Sequence, residues 1–151
     1  KATTGTLRLT RVFKAPRERV FNAFLDPDGL AKWMPPNGYS AHVYTFESRV
    51  GGVHRMSFSS LDKKDTSVFG GRFLEIKRNE RLRYTDRFET DHPEMQGEMT
   101  ITVTFKDVPG GTQVKIVQEG LPDVIPAEAC YLGWQESLAQ LAHLVDPEIP
   151  D

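Results

Sequence analysis

The sequence predicts one α+β domain over residues 1–151, in which a curved antiparallel sheet of seven strands wraps around a long C-terminal helix. Three observations lead to this prediction. Apolar residues recur at helical spacing near the end of the chain, and two short helical segments that begin with prolines lie near its start. Between them, about eighty residues after Ser40 read as strands separated by turns. A single long helix with one apolar stripe most simply crosses the concave face of such a sheet.

The first strand and two short helices are predicted at the start of the chain. The strand covers Leu7–Phe13, where apolar and polar residues alternate imperfectly. The helices are predicted over Pro16–Leu25 and from Pro27 onward, because proline is favoured at the first position of a helix. Asp26 is placed to accept from the free amides that begin the second helix. The run Pro35–Gly38 ends that helix.

Six further strands are separated by turns rich in glycine and proline. Gly51-Gly52 predicts a hairpin, and Gly70-Gly71 predicts a bulge or a sharp bend within one strand. The six predicted strands are Ala41–Arg49, Val53–Ser59, Thr66–Leu74, Arg81–Phe88, Met99–Phe105 and Thr112–Gln118.

The long helix is predicted from Pro126 to about Val145. At roughly 1.5 Å per residue it would be on the order of 28 Å long, enough to cross a small domain. Its apolar residues are spaced by three or four positions, which places them on one face. The residues of this apolar stripe are Tyr131, Trp134, Leu138, Leu141 and Val145.

The composition argues against several classes of function. A formal net charge of -2 is unlike that of proteins that bind nucleic acid or anionic membranes. Cys130 is the only cysteine, so neither an intrachain disulfide nor a multi-cysteine metal site is expected, and the chain suits a reducing cytoplasm. No apolar run approaches the ~20 residues of a membrane span, so no integral membrane association is expected.

The sequence lacks the familiar signatures of catalysis and of cofactor binding. It contains no P-loop, Rossmann glycine pattern, nucleophile-elbow serine or histidine pair at metal spacing, so we predict no cofactor. His92 and His143 are predicted to face solvent, and Cys130 is interpreted as an inert thiol. His54 shares its strand face with Met56 and is predicted to point inward.

Large aromatic side chains and methionines on the strands and helices suit the wall of a cavity between the sheet and the long helix. A packed core is the alternative interpretation for each of them. The predicted ligand-binding residues are Phe21, Trp33, Met34, Phe46, His54, Met56, Phe58, Phe69, Phe73, Tyr84, Met99, Trp134 and Leu138.

Several short motifs occur in an order that is found in a known family. They are Ala15-Pro16, Val20–Phe24, Asp26-Pro27 with Leu30 and Trp33, Glu47 with Gly51-Gly52, Gly120-Leu121, and Gly133-Trp134 with Leu138 and Leu141. The chain resembles the START-like, birch-pollen-allergen-like superfamily, also called the polyketide cyclase and lipid-transfer (SRPBCC) superfamily. Within it, the chain is similar to the branch named after the activator of heat-shock protein 90 ATPase homologue.

The resemblance implies a helix-grip fold, in which the seven-stranded sheet wraps around the C-terminal helix and leaves a cavity between them. It also implies binding of lipids, polyketides or other hydrophobic small molecules. Met34 departs from the family, where the position after Trp33 is frequently aromatic, and this change would widen or repack the pocket. The branch takes its name from a co-chaperone domain, and that name alone implies no activity here.

Three functions stay open at this point. The first is binding of a hydrophobic small molecule without catalysis. The second is a cyclase- or dehydratase-type enzyme that uses the same cavity, with His54, Tyr84, Asp86 or Glu98 as acid or base. The third is an interaction module linked to chaperones or to the stress response. An exposed strand edge would in addition allow a homodimer to form.

Overall fold

The computed structural model describes residues 4–147, and residues 1–3 and 148–151 lie outside the described part. The described part contains seven strands, three α-helices and one turn of 3₁₀ helix at Pro93–Met95. In chain order the strands and α-helices are β1 (Thr4–Phe13), α1 (Arg17–Leu25), α2 (Pro27–Trp33), β2 (Tyr39–Phe46), β3 (Val53–Ser60), β4 (Thr66–Lys77), β5 (Arg81–Phe88), β6 (Met99–Val108), β7 (Gly111–Pro122) and α3 (Ala127–Val145).

The seven strands form one antiparallel sheet in the order β1-β7-β6-β5-β4-β3-β2, so β1 and β2 are its edge strands. The sheet is curved, and α3 packs against β1, α1 and α2. Both short helices lie between β1 and β2 in the chain. The structure therefore confirms the predicted α+β helix-grip fold.

The C-terminal half of α3 closes the main hydrophobic core. Leu138, Leu141 and Val145 are all at most 2% exposed, as the apolar stripe predicts. Tyr131 does not follow the stripe, because its side chain is 39% exposed. The first turns of α3 lie beside an unfilled space, where Cys130 and Trp134 form part of the wall and also pack against the edge of the core.

Two polar contacts order the short helices. Asp26 accepts a hydrogen bond from the backbone amide of Asp28 at 3.2 Å, which confirms the predicted cap. The indole N–H of Trp33 donates to the carbonyl oxygen of Ala23 at 3.0 Å, and its ring meets Phe24 edge to face at 4.8 Å. Trp33 therefore joins α2 to α1 with both its apolar surface and its one donor.

Gly70-Gly71 lies within the uninterrupted strand β4, close to the backbone of β5. Gly70 pairs with Arg87 and Phe73 pairs with Tyr84, so the register of β4 against β5 does not shift at the two glycines. The shift lies between Phe73 and Glu75, so the bulge predicted as one alternative for Gly70-Gly71 is wrong. A Cβ added to Gly71 would lie 2.1 Å from the carbonyl oxygen of Thr85. Glycine is needed there because the two backbones approach closely.

We expect Gly71→Ala to lower the free energy of unfolding by about 3 kcal/mol, at the upper end of the usual cost of overpacking. The added methyl group would push β4 away from Thr85. Gly5→Ala is the matched control, since the nearest atom to its added Cβ is a side-chain carbon of Leu121 at 3.8 Å. Urea unfolding of both variants measures the difference, and equal stabilities would show that β4 does not depend on this close approach.

Candidate functional site

A cavity of about 400 Å³ lies between the concave face of the sheet and α3. This volume is within the range of roughly 300–1,000 Å³ that is usual for small-molecule sites. Two of its lining residues, Tyr39 and Ser67, are exposed at the protein surface, which places an opening of the cavity beside β2 and β4.

Most of the predicted ligand-binding residues line this cavity. Successive strand residues point to opposite faces of a sheet, so every second residue of β3, β4 and β5 reaches the concave side. The predicted residues that line the cavity are Met34, Phe46, His54, Met56, Phe58, Phe69, Phe73, Tyr84, Met99 and Trp134.

Phe21, Trp33 and Leu138 do not line the cavity. Each is at most 2% exposed and belongs to the packed core. Phe21 meets Phe105 edge to face at 5.2 Å, and Trp33 packs on Phe24. Helical periodicity shows that a residue faces inward, but it does not distinguish packed core from cavity wall.

The cavity also has lining residues that the sequence did not single out for binding. Phe88 and Ile101 were within reach of sequence reasoning, since they share strand faces with Tyr84 and Met99. Gly133 and Ser137 lie one turn apart on the face of α3 that carries Cys130 and Trp134. The residues added by the structure are Phe24, Leu30, Pro36, Tyr39, Ser67, Phe88, Ile101, Gln118, Cys130, Gly133 and Ser137, together with Asp86, which was considered only as a catalytic candidate.

Aromatic contacts give the sheet side of the cavity a fixed shape. The ring of Phe73 lies 5.6 Å from Phe46, 5.3 Å from His54 and 6.0 Å from Tyr84. His54 and Tyr84 meet edge to face at 5.3 Å. Interlocked rings of this kind leave little rotamer freedom, so the cavity wall is largely formed before a ligand enters.

Some polar groups in the wall satisfy one another. The indole N–H of Trp134 donates to Oε1 of Gln118 at 2.8 Å, and Nε2 of Gln118 lies 3.2 Å from the sulfur of Met99. The hydroxyl of Ser137 donates to the carbonyl oxygen of Met34 at 2.6 Å. These contacts tie α3 to β7 and to the end of α2, and they serve the architecture of the site.

A backbone hydrogen bond holds the ring of His54 in one tautomer. Its Nε2 lies 2.9 Å from the carbonyl oxygen of Thr85. A carbonyl can only accept, so Nε2 carries the hydrogen and Nδ1 keeps its lone pair. Burial lowers the pKa of His54, with the Thr85 carbonyl acting in the opposite direction.

Tyr84 and Asp86 bring two further polar groups to the same wall from β5. Burial, reinforced by the charge of Asp86, raises the pKa of the Tyr84 hydroxyl. Oδ1 of Asp86 is buried and has no hydrogen-bond partner within residues 4–147. Burial raises the pKa of Asp86 to about 7, although the backbone amide of Arg87 opposes this.

The other titratable residues considered from the sequence either lie outside the cavity or have a thiol that stays protonated at neutral pH. Glu98 is exposed and pairs with Arg87 at 3.8 Å, so it does not reach the cavity. His92 and His143 are exposed, as predicted. Cys130 lines the cavity, and burial raises the pKa of its thiol. Between Thr4 and Pro147, no group of three or more histidine, cysteine, aspartate or glutamate side chains is placed to hold a metal ion.

A comparison with known protein families agrees with the fold described above. The model of the family described as "Activator of Hsp90 ATPase homolog 1-like protein" matches residues 14–146. The chain belongs to this family. No curated protein matches the chain. Among the helices described in residues 4–147, none has the length and apolar character that a membrane crossing requires.

Solved structures of similar chains have the same fold. Protein CV1439 from Chromobacterium violaceum is 51% identical, covers 95% of this chain and 98% of its own, and superposes with a TM-score of 0.90. A protein from Rhodobacter sphaeroides is 22% identical with a TM-score of 0.82, and the shares covered are 95% and 97%. Protein Ms6760 from Mycobacterium smegmatis is 20% identical with a TM-score of 0.78, and the shares are 99% and 100%. The last two show the fold alone.

Proposed function

We propose that this protein binds a hydrophobic small molecule, such as a lipid, a polyketide or an aromatic compound, in the cavity between the sheet and α3. The observation that carries the proposal is a cavity of about 400 Å³ that aromatic side chains and methionines line without filling. Every 100 Å² of apolar ligand surface removed from water would contribute roughly 2.5 kcal/mol. Because the interlocked rings fix the wall in advance, little of this is lost in ordering the site.

We expect Gly133→Phe to block the cavity without unfolding the protein. Gly133 lines the cavity, and a Cβ added there meets no atom within 4 Å. The phenyl ring would occupy ligand space, while replacing glycine inside a helix favours folding by about 0.5 kcal/mol. The affinity for N-phenyl-1-naphthylamine, a neutral fluorescent probe, should fall about tenfold or more, equivalent to about 1.4 kcal/mol.

Gln135→Phe is the control for this experiment, because Gln135 is exposed on the same helix and does not line the cavity. It should keep the affinity of the unmodified protein. Thermal unfolding should show that both variants fold. The proposal fails if the unmodified protein does not bind the probe, or if both variants bind it equally well.

A second candidate function is catalysis of the cyclase or dehydratase type in the same cavity. The observation in its favour is that His54, Tyr84 and Asp86 line one apolar space and all have shifted pKa values. Glu98 is no longer a candidate, because it is exposed. Incubation of bound ligands with the protein, followed by mass spectrometry, tests for turnover. Catalysis predicts a product that His54→Gln or Asp86→Asn abolishes.

The homodimer, the chaperone link, the location and the absence of a cofactor all stay predictions. A homodimer would use the free edges of β1 or β2, and sedimentation at several concentrations tests it. A link to chaperones or to the stress response predicts enrichment of a chaperone in a pull-down. A cytoplasmic location is likewise a prediction, as is the absence of a cofactor.

A further inference from the structure

We propose that the cavity selects apolar ligands that carry a protonated amine, and that the carboxyl group of Asp86 accepts from this amine. The inference rests on the proposed ligand-binding function and adds the charge of the ligand to it.

The position of Asp86 supports this role. It lies on β5 between Tyr84 and Phe88, two residues from each, so the three side chains share the concave face. Its partner across the strand pair is Met99 on β6, which offers no charge. Oδ1 is buried and has no hydrogen-bond partner within residues 4–147, and Asp86 is one of the residues that line the cavity.

The charges around the cavity point to a cation. No lysine or arginine is among the described residues that line it. The neighbouring Arg87 is exposed and pairs with Glu98 across the outer face of the sheet. The other titratable residues that line the cavity are Tyr39 on β2, His54 on β3, Tyr84 beside Asp86 on β5, and Cys130 on α3. Burial favours the neutral forms of His54, Tyr84 and Cys130.

A ligand anion would therefore meet a carboxyl group and no counter-charge, whereas an amine would gain a charge-assisted hydrogen bond. The side chain of Asp86 is already partly removed from water in the folded protein, so its carboxyl group has less hydration to lose on binding than an exposed carboxyl group. The aromatic residues Phe73, Tyr84 and Phe88 line the same cavity as Asp86, and the faces of aromatic rings attract cations. The raised pKa of Asp86, about 7, means that its charge forms around neutral pH.

Three probes that share a naphthyl group test the inference. They are the amine 2-(1-naphthyl)ethylamine, the neutral alcohol 2-(1-naphthyl)ethanol and the anion of 1-naphthaleneacetic acid, called the acetate below. Isothermal titration calorimetry at about pH 8.5, where Asp86 is ionised and the amine protonated, should show the amine binding about tenfold more tightly than the alcohol. The acetate should bind most weakly. At about pH 5.5 the preference for the amine over the alcohol should largely disappear, since Asp86 is then protonated.

Asp86→Asn provides the matched variant, because it removes the charge at nearly constant volume. At about pH 8.5 it should lose the preference for the amine, so that the amine and the alcohol bind with affinities within about twofold of each other. If this variant does not fold, the pH dependence of the unmodified protein carries the test by itself.

The outcomes separate this inference from the function on which it rests. If the alcohol or the acetate binds as tightly as the amine, the selectivity for amines is overturned and hydrophobic binding stands. Selectivity for amines is also overturned, and hydrophobic binding again stands, if N-phenyl-1-naphthylamine binds and the naphthylethylamine does not. If neither that neutral probe nor any of the three naphthyl compounds binds, both proposals fail together.

Discussion

Replacing Leu141 with alanine should lower the free energy of unfolding by about 2–5 kcal/mol, the usual cost of removing a buried leucine side chain. Leu141 is 0% exposed and lies where α3 closes the core against β1 and the short helices. The substitution removes apolar surface from the core, and a rigid sheet and helix can relax only partly around the space left behind. At roughly 2–4 °C per kcal/mol for a domain of this size, the melting temperature should fall by several degrees or more.

Leu144→Ala is the control for this prediction, since the same residue type stands three positions further along the same helix. Its side chain is 47% exposed, so most of it stays in contact with water in the folded protein. Its replacement should change the stability by less than about 1 kcal/mol. Urea unfolding of the two variants compares them directly. A similar loss in both would mean that α3 is not held by its buried stripe.

The parts of the fold that depend on local pattern were predictable from the sequence. The alternation of Met99–Phe105 and the turn after it place β6 and β7, and the stripe of α3 places Leu138, Leu141 and Val145 in the core. The exact ends of the strands were less predictable from the sequence. β2 ends at Phe46 and not at the predicted Arg49, because Glu47 turns the chain back and its carboxylate accepts from the amide of Val53 at 2.8 Å.

The candidate site was predictable where strand parity decides the direction of a side chain. His54, Met56 and Phe58 alternate along β3 and all reach the cavity. Helical residues were harder, because one apolar face of α1 holds both Phe21, which packs in the core, and Phe24, which reaches the cavity. The unpaired Oδ1 of Asp86 could not be deduced, since it depends on the lack of a partner among residues 4–147 that lie far away in the chain.

The pH dependence of stability should reveal Asp86 even without a ligand. Burial raises its pKa from the ordinary 3.8 to about 7 in the folded protein. Between these values the native state keeps a proton that the unfolded chain has released, so stability is complete below about pH 4 and decreases as the pH rises towards 7. At about 1.4 kcal/mol per pH unit, the loss across this window amounts to about 4 kcal/mol.

Asp86→Asn removes this dependence, because the amide does not titrate. The stability of the variant relative to the unmodified protein should therefore rise by about 4 kcal/mol between pH 4 and pH 8, whatever constant cost the buried amide adds. His54 acts in the opposite direction: its lowered pKa contributes stability above pH 6.5 that is lost as the pH falls, but this contribution is present in both proteins and cancels.

Asp91→Asn, in an exposed loop, is the control and should follow the unmodified protein at every pH. Urea unfolding at intervals of one pH unit measures the three curves. Parallel curves for Asp86→Asn and the unmodified protein would show that the carboxyl group of Asp86 is solvated, and the cavity would then lack the buried acid on which selectivity for amines depends.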